Sequence, residues 1–375
     1  MAVPLLDLRA QHATIRDETV AALMRVVDAQ TFILGDAVSE LETAVAALSR
    51  TKHAIGCAND TDAILLAMRA LDIGRGDEVI TTPFTFFATA GTIHNVGATP
   101  VFVDIEPKTF NIRPDAAAAA RTSKTKAVIP VDLFGQMAPI ERVQAALPGL
   151  PVIEDAAQSI GARRAVDGEW RMAGEMPTIG TFSFFPSKNL GGFGDGGMIV
   201  TQDDRIAERL KRLRVHGGAK QYFHDEVGYN SRLDSLQAAV LSAKLPHLAA
   251  WSAKRRDNAA YYDAAFADLA AKGVLATPYV AKENESIFNQ YTLRVANGKR
   301  DALQAFLKER GIGTSIYYPL PLHLQPCFAY LGYKEGQCPE SERAAKEVLS
   351  VPIYPELTRQ QLDEVVAGVH AYFAK

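Results

Sequence analysis

The sequence predicts an α/β sheet covered by helices on both faces, followed by a smaller α+β unit, and three observations carry that prediction. Between about residues 53 and 201, seven short apolar, β-branched runs alternate with helical patterns, which is what a sheet buried on both sides requires. After Pro246 the texture changes, and a long helical pattern leads into a separate set of elements. The chain has 375 residues, 48% of them hydrophobic and 22% charged, enough for two cores.

Taken in order, the candidate strands are 53–57, 78–81, 100–104, 126–131, 151–154, 178–184 and 198–201, with alanine- and leucine-rich helices such as 62–71 and 140–146 between them. The alanine run 116–120 reads as plain helix, 203–214 as a charged amphipathic helix and 234–245 as a more buried one. A helix over about 247–271, a strand at 291–295 and a helix at 300–310 follow. Gly311-Ile-Gly313 ends that last helix, and a further strand and a closing helix near 360–373 complete the unit. The expected division is a domain over 1–247, with an N-terminal arm, and another over 248–375. No internal repeat is present.

Composition narrows the function. A formal net charge of −3 with no lysine/arginine stripe gives no electrostatic case for nucleic acid. The three cysteines (Cys57, Cys327 and Cys338) show neither CxxC nor metal-ligand spacing, which points to a reducing compartment without a disulfide framework. His216, His224 and His323 also lack ligand spacing, so no metal is expected. The N-terminus lacks a basic segment before an apolar one, and no window approaches the roughly 20 apolar residues of a membrane span. No membrane partner and a cytoplasmic location are the expectation.

The chemistry centres on Lys188. An apolar run ending at Pro186 delivers this single lysine, and five glycines follow within Asn189–Gly197. A lysine at the end of a buried strand is costly to desolvate unless its amine is paired or made covalent. Schiff-base chemistry with a carbonyl, most commonly that of pyridoxal phosphate (PLP), uses such a lysine, and the glycines would let backbone approach a cofactor closely. Ligands of open α/β sheets bind beyond the carboxyl ends of strands, and three further segments lie at such ends. Asn59-Asp60-Thr61-Asp62 opens a helix whose N–H groups suit a phosphate, or else is a simple N-cap. Phe86 either stacks on a flat ring or belongs to the core. Asp155 either keeps a pyridine nitrogen protonated or caps a helix. Gly192-Phe-Gly194-Asp-Gly-Gly197 satisfies G-x-G-x-x-G, but a strand pattern follows it where a dinucleotide site needs a helix.

In its ordered motifs the chain resembles the DegT-type sugar nucleotide aminotransferases, a branch of the fold-type-I PLP enzymes. The resemblance rests on Leu6-Asp-Leu, Thr61-Asp62-Ala, Gly76-Asp-Glu-Val, Glu154-Asp-Ala-Ala-Gln-Ser159, Ser183-Phe-Phe-Pro-Ser-Lys188, Gly228-Tyr-Asn230-Ser-Arg232 and Tyr318-Pro-Leu-Pro-Leu-His323. It implies a seven-stranded, mostly parallel sheet domain with a smaller C-terminal domain, and homodimers with shared active sites. It implies that Lys188 carries PLP covalently, Asp155 pairs with the pyridine nitrogen, Gln158 lies near the ring hydroxyl and Phe86 stacks on the ring. Asp60, Thr61 and Ser183 would bind the phosphate, with Asn230 of the neighbouring subunit. Arg232, Tyr317, Tyr318 and His323 would line the substrate side. Position 60 departs from the pattern, since many relatives carry glycine there. An aspartate beside a phosphate must point away or be offset.

The implied reaction is transfer of an amino group from glutamate, through the pyridoxamine phosphate form, to a nucleotide-linked keto sugar. The Asn59/Thr61, Asn230–Asp234 and 318–322 motifs look like members acting on UDP-linked 3-keto sugars, including N-acetylated hexoses, for amino-sugar, surface polysaccharide or lipopolysaccharide synthesis. A 4-keto sugar is the alternative, and a PLP-binding regulatory protein is a third reading. In related sugar dehydratases histidine replaces the lysine, so Lys188 speaks against that chemistry. The glycine-bearing segment beginning at His216 is expected to close over the site.

Overall fold

The computed structural model describes residues 2–374. Helix α1 (Leu8–Ala29) starts at Asp7, whose carboxylate accepts from the N–H groups of Arg9 and Ala10 at 3.0 Å, and α2 (Asp36–Leu48) follows. The alternation then begins: β1 (His53–Cys57), α3 (Asp60–Ala70), β2 (Glu78–Thr81), α4 (Phe87–Asn95), β3 (Thr99–Phe102), α5 (Pro114–Ala119), β4 (Thr125–Ile129), α6 (Ile140–Ala146) and β5 (Ile153–Asp155). A hairpin, β6 (Arg163–Val166) and β7 (Glu169–Met172), precedes β8 (Ile179–Ser183), β9 (Gly197–Thr201), α7 (Asp204–Leu213) and α8 (Ser235–Lys244).

Strands β1-β9-β8-β5 form one run and β3-β2-β4 another. Parallel bridges between Val128 and Val152 and between Val131 and Asp155 join β4 to β5, giving the order β1-β9-β8-β5-β4-β2-β3. Strand β9 runs antiparallel to both of its neighbours, while the remaining pairings are parallel. The apolar side chains of these strands are buried on both faces, as the near-continuous apolar runs require. The consequence for function is directional. Strands β1, β2, β5 and β8 all point the same way, so the residues after their carboxyl ends meet along one edge of the sheet.

The C-terminal elements are α9 (Leu248–Ala265), α10 (Ala267–Ala271), β10 (Leu275–Ala276), β11 (Asn284–Glu285), β12 (Tyr291–Val295), α11 (Arg300–Glu309), α12 (Pro339–Glu347), β13 (Val348–Val351) and α13 (Arg359–Phe373). Their antiparallel sheet, β10-β12-β13, shares a core with Tyr262, Phe266, Leu303 and Val365. The single helix expected over 247–271 is broken at Phe266, whose buried ring stacks on Tyr262 at 5.7 Å. Backbone pairings are among the contacts that cross the division expected at residue 248. Val3 joins the C-terminal core through bonds to Gly311 and Gly313 at 2.9 and 2.8 Å, and β11 pairs with β6. Among the described residues no helix is long and apolar enough to cross a membrane.

Candidate active site

Along that sheet edge lies a cavity of about 660 Å³. Four strand ends supply it: Asn59, Asp60 and Thr61 after β1, Thr85 and Phe86 after β2, Asp155 and Gln158 from β5, and Ser183 and Lys188 from β8 and its turn. Tyr317 and Tyr318 border it from the C-terminal unit. A groove of about 720 Å³ lies elsewhere, on the segment from Val215 to Arg232, but it gathers no comparable cluster of buried acid and amine.

Asp155 ends β5 and is only 4% exposed. Its Oδ2 accepts from the Thr89 hydroxyl at 2.7 Å, and its Oδ1 accepts from the Ala157 N–H at 3.3 Å. Thr85, just before α4, and Thr89, in its first turn, lie 3.0 Å apart, hydroxyl to hydroxyl, so the start of α4 orients this carboxyl. Burial raises its pKa, while Thr89, the Ala157 N–H and the charge of Lys188 oppose the rise. Lys188 is half-buried in the turn closed by its own N–H to Phe185 O at 2.9 Å. Desolvation draws its amine below the ordinary lysine range, opposed by the charges of Asp60 and then Asp155. An amine so placed reaches its neutral, nucleophilic form more readily than one in water.

Asn59 caps α3, its side chain accepting from the Asp62 N–H at 2.9 Å. The preceding N–H groups of Asp60 and Thr61 have no carbonyl one turn back to bond, and the helix dipole adds positive potential there. Ser183 is buried at the end of β8, its hydroxyl accepting from the Phe185 N–H at 3.3 Å. Gln158 is fixed at both ends, accepting from the Phe134 N–H at 2.6 Å and donating to the Tyr318 hydroxyl at 3.4 Å. Phe86 is 57% exposed, so it is not a core residue, and its ring lies 6.3 Å from that of Tyr318.

Behind Asp155, two fully buried acids brace the strand ends. Asp132 accepts from Ala138 N–H and the Ser159 hydroxyl, each at 2.7 Å, and Glu154 accepts from Gly174 N–H at 2.6 Å. Burial pushes Asp132 up to about 7 and Glu154 well above the carboxylate range.

The glycines after Lys188 also pack tightly within the protein, while Gly196 lines the cavity. Their close approaches are to the protein's own chain: a Cβ on Gly191 would come 2.3 Å from Pro186 O, and one on Gly197 would come 2.5 Å from the backbone of Asn59 and 2.9 Å from Asp60 N. Strand β9 can therefore press directly against the start of α3 only because position 197 lacks a side chain. Gly197→Ala should push that helix end away, destabilising the fold by about 1–3 kcal/mol and weakening retention of a phosphate ligand. Thermal unfolding and ligand titration of the variant check this; an unchanged midpoint together with unchanged affinity would contradict it.

Three residues expected at the site, Asn230 among them as a contribution of the neighbouring subunit, do not line the cavity of their own chain. His323 is 1% exposed, its Nε2 lies 3.1 Å from Glu342, and its Nδ1 has no partner, so the imidazole is buried against α12 rather than open to a substrate. Arg232 lines the separate groove, and Asn230 is exposed beside Val215. The segment from His216 forms that groove rather than covering the cavity, with His224 Nδ1 3.0 Å from His216 O. Among the described residues no group of three or more His, Cys, Asp or Glu could hold a metal ion. The residues missed by sequence reasoning are Thr85 and Thr89, whose only signal was their i, i+4 spacing beside Phe86.

The model of the DegT/DnrJ/EryC1/StrS aminotransferase family matches residues 13–370. The chain is 53% identical to a pleiotropic regulatory protein of Geobacillus stearothermophilus, over 100% of this chain and 99% of that one. It is 44% identical to a UDP-N-acetyl-3-dehydro-alpha-D-glucosamine 3-aminotransferase of Acidithiobacillus ferrooxidans, over 98% of this chain and 97% of the other. The crystal structure of S. venezuelae DesV in complex with a ketimine intermediate superposes with a TM-score of 0.94 at 39% identity, covering 100% of this chain and 99% of DesV.

Proposed function

This chain belongs to the DegT/DnrJ/EryC1/StrS aminotransferase family, and on that premise we propose that it moves the amino group of glutamate to a UDP-linked 3-keto N-acetylated hexose. It is a PLP-dependent sugar aminotransferase, and the observation that carries the site assignment is the convergence of Lys188, Asp155 and the start of α3 on one cavity. The donor set fits the cofactor. A buried carboxyl stands ready for a pyridine nitrogen, a low-pKa amine for a carbonyl, and a helix N-terminus beside Ser183 for a phosphate.

The cofactor, when bound, supplies an electron sink and a carrier for the amino group. Lys188 Nζ would hold it covalently and, once released, take the proton from the carbon bearing the donor's amino group and return one to the carbon being aminated. Asp155 would hold a proton on the ring nitrogen, kept in position by Thr89. Gln158, locked by Phe134 and Tyr318, would lie beside the ring hydroxyl, and Phe86 would cover one face. The N–H groups of Asp60 and Thr61, with the Thr61 and Ser183 hydroxyls, would take the phosphate. Tyr317 and Tyr318 would face the sugar.

Two copies of the chain would complete the site. Asn230 and Arg232 do not line their own cavity and would reach that of a second copy. Exposed Phe87, Phe185 and Phe193, apolar surface close to the cavity and its glycine loop, suit burial against that copy. A cytoplasmic role in surface polysaccharide or lipopolysaccharide synthesis follows from a UDP-linked amino sugar as product.

The 3-keto assignment draws support from the 44% identity to the UDP-linked 3-aminotransferase. A regulatory reading has its own support in the 53% identity to the Geobacillus protein. One assay separates them: loaded enzyme, glutamate and either UDP-linked 3-keto or dTDP-linked 4-keto sugars, with 2-oxoglutarate and amino sugar followed by mass spectrometry. Turnover on the UDP-linked 3-keto N-acetylhexose is expected. Turnover confined to 4-keto sugars would replace the substrate assignment, and bound cofactor with no turnover on any sugar would favour the regulator.

A further inference from the structure

Asp60 stands directly under the N–H groups that would hold a phosphate, as the first residue of α3, yet its carboxyl turns inward. It is 8% exposed, and its Oδ1 is buried without a hydrogen-bond partner. The charge balance around it is one-sided. Four carboxyls line the cavity, those of Asp60, Asp62, Asp155 and Asp195, while Lys188 is its one cation among the described lining residues. The other titratable groups near Asp60 are the Cys57 thiol at the end of β1, raised by burial and then by Asp60 itself, and the Tyr317 and Tyr318 phenols across the cavity. None can offset an added anion. A phosphate carries close to two negative charges at neutral pH, and bringing it beside a buried carboxylate for which the same chain offers no spare cation is unfavourable.

We propose that Asp60 takes up a proton from solvent as the phosphate-bearing cofactor enters, so that this side chain couples cofactor affinity to pH; the inference rests on reading the cavity as the cofactor site. Geometry and chemistry agree on the direction. Burial and then the charge of Asp155 push the empty-site carboxyl up to about 8, opposed by Lys188 and the Thr181 hydroxyl, and an incoming phosphate pushes it further the same way. The loaded form therefore binds the proton more tightly than the empty one. Affinity is full below the empty-site value and falls by up to about tenfold per pH unit between that value and the higher loaded-site value. A neutral Asp60 also resolves the anomaly of an acid in a phosphate turn, because a protonated carboxyl can donate from the oxygen that now lacks a partner.

The test is calorimetric titration of the apo protein with pyridoxamine 5′-phosphate, which brings the phosphate and ring without a carbonyl for Lys188. Wild type, Asp60→Asn and Asp60→Gly would be compared at about pH 8.5 in two buffers of different ionisation enthalpy. Differences between variants cancel the ligand's own titration. Wild type should take up more protons per site than either variant, by an amount approaching one, and its dissociation constant should rise more steeply between pH 8 and 9. Equal proton uptake and parallel pH curves in all three proteins would overturn the proposal. Should Asp60→Asn fail to fold by circular dichroism, Asp60→Gly carries the comparison, since glycine leaves the helix start free of any carboxyl. No binding by the wild type at any pH would instead overturn the reading of the cavity as the cofactor site.

Discussion

Lys188→Ala is expected to lower turnover by about 10³–10⁴-fold while leaving the fold and non-covalent cofactor binding in place. On the proposed roles, two functions would be lost together in this variant: the nitrogen that bonds the cofactor, and the base that shuttles the proton at the substrate carbon. Borohydride treatment of the wild type should fix the cofactor to the peptide containing Lys188, and the alanine variant should show no such adduct by mass spectrometry. Lys188→Arg separates charge from chemistry. A guanidinium keeps the positive charge beside Asp60 and Asp155 but does not deprotonate near neutrality, so it should be as inactive as alanine. An arginine variant with appreciable turnover would mean that charge, not a titrating amine, is what the site needs from this position.

Asp155→Asn should slow amino transfer by about 10²–10³-fold, the usual cost of removing one preorganised electrostatic partner from where charge develops. The amide is nearly isosteric and can still accept from Thr89, whose hydroxyl now bonds Oδ2 at 2.7 Å, so the fold and the position of α4 should be kept. What the amide cannot do is hold a proton on the ring nitrogen. The deficit should therefore appear in the half-reaction with glutamate as well as in overall turnover. A cofactor analogue methylated on that nitrogen, which carries the charge permanently, should restore part of the rate in Asp155→Ala. Failure of the analogue in a variant that binds it would place the role of Asp155 elsewhere, in orientation rather than in charge.

The strands that deliver these residues were legible because each is buried on both faces and reads as an uncharged run of apolar, small and β-branched residues, as in Ile179–Ser183 and Gly197–Thr201. The hairpin Arg163–Val166 and Glu169–Met172 was not read, although Asp167-Gly168 between them is a turn signal and both residues have positive φ. Its flanks carry Arg163, Arg164, Glu169 and Arg171, so the apolar alternation that marks a strand is missing. Helix α1 escaped for a related reason, since its buried stripe runs Gln11, Ile15, Thr19, Ala22 and Val26 and two of the five are polar. At the site, Lys188, Asp155, Gln158, Ser183, Thr61 and Phe86 could be picked out because each follows a strand end, and the sheet order then brings those ends together. Which partners they meet was not legible. Thr89 reaches Asp155 across 66 positions, and Asp132, in the turn after β4, meets the Ser159 hydroxyl across 27. His323 looked like a substrate contact from its place after Tyr318-Pro-Leu-Pro-Leu, but Glu342, 19 positions on, draws it into the interior.

On the proposed reading, this cavity loads PLP on Lys188 and passes an amino group from glutamate through it. The most direct measurement is the absorption spectrum of the purified protein after addition of PLP, recorded before and after glutamate. A long-wavelength band from the lysine-bound cofactor should give way, on glutamate alone, to the shorter-wavelength band of the pyridoxamine form, with one 2-oxoglutarate released per site converted. A protein that shows no such band with added PLP, or whose band is untouched by glutamate and by other amino-acid donors, would contradict it.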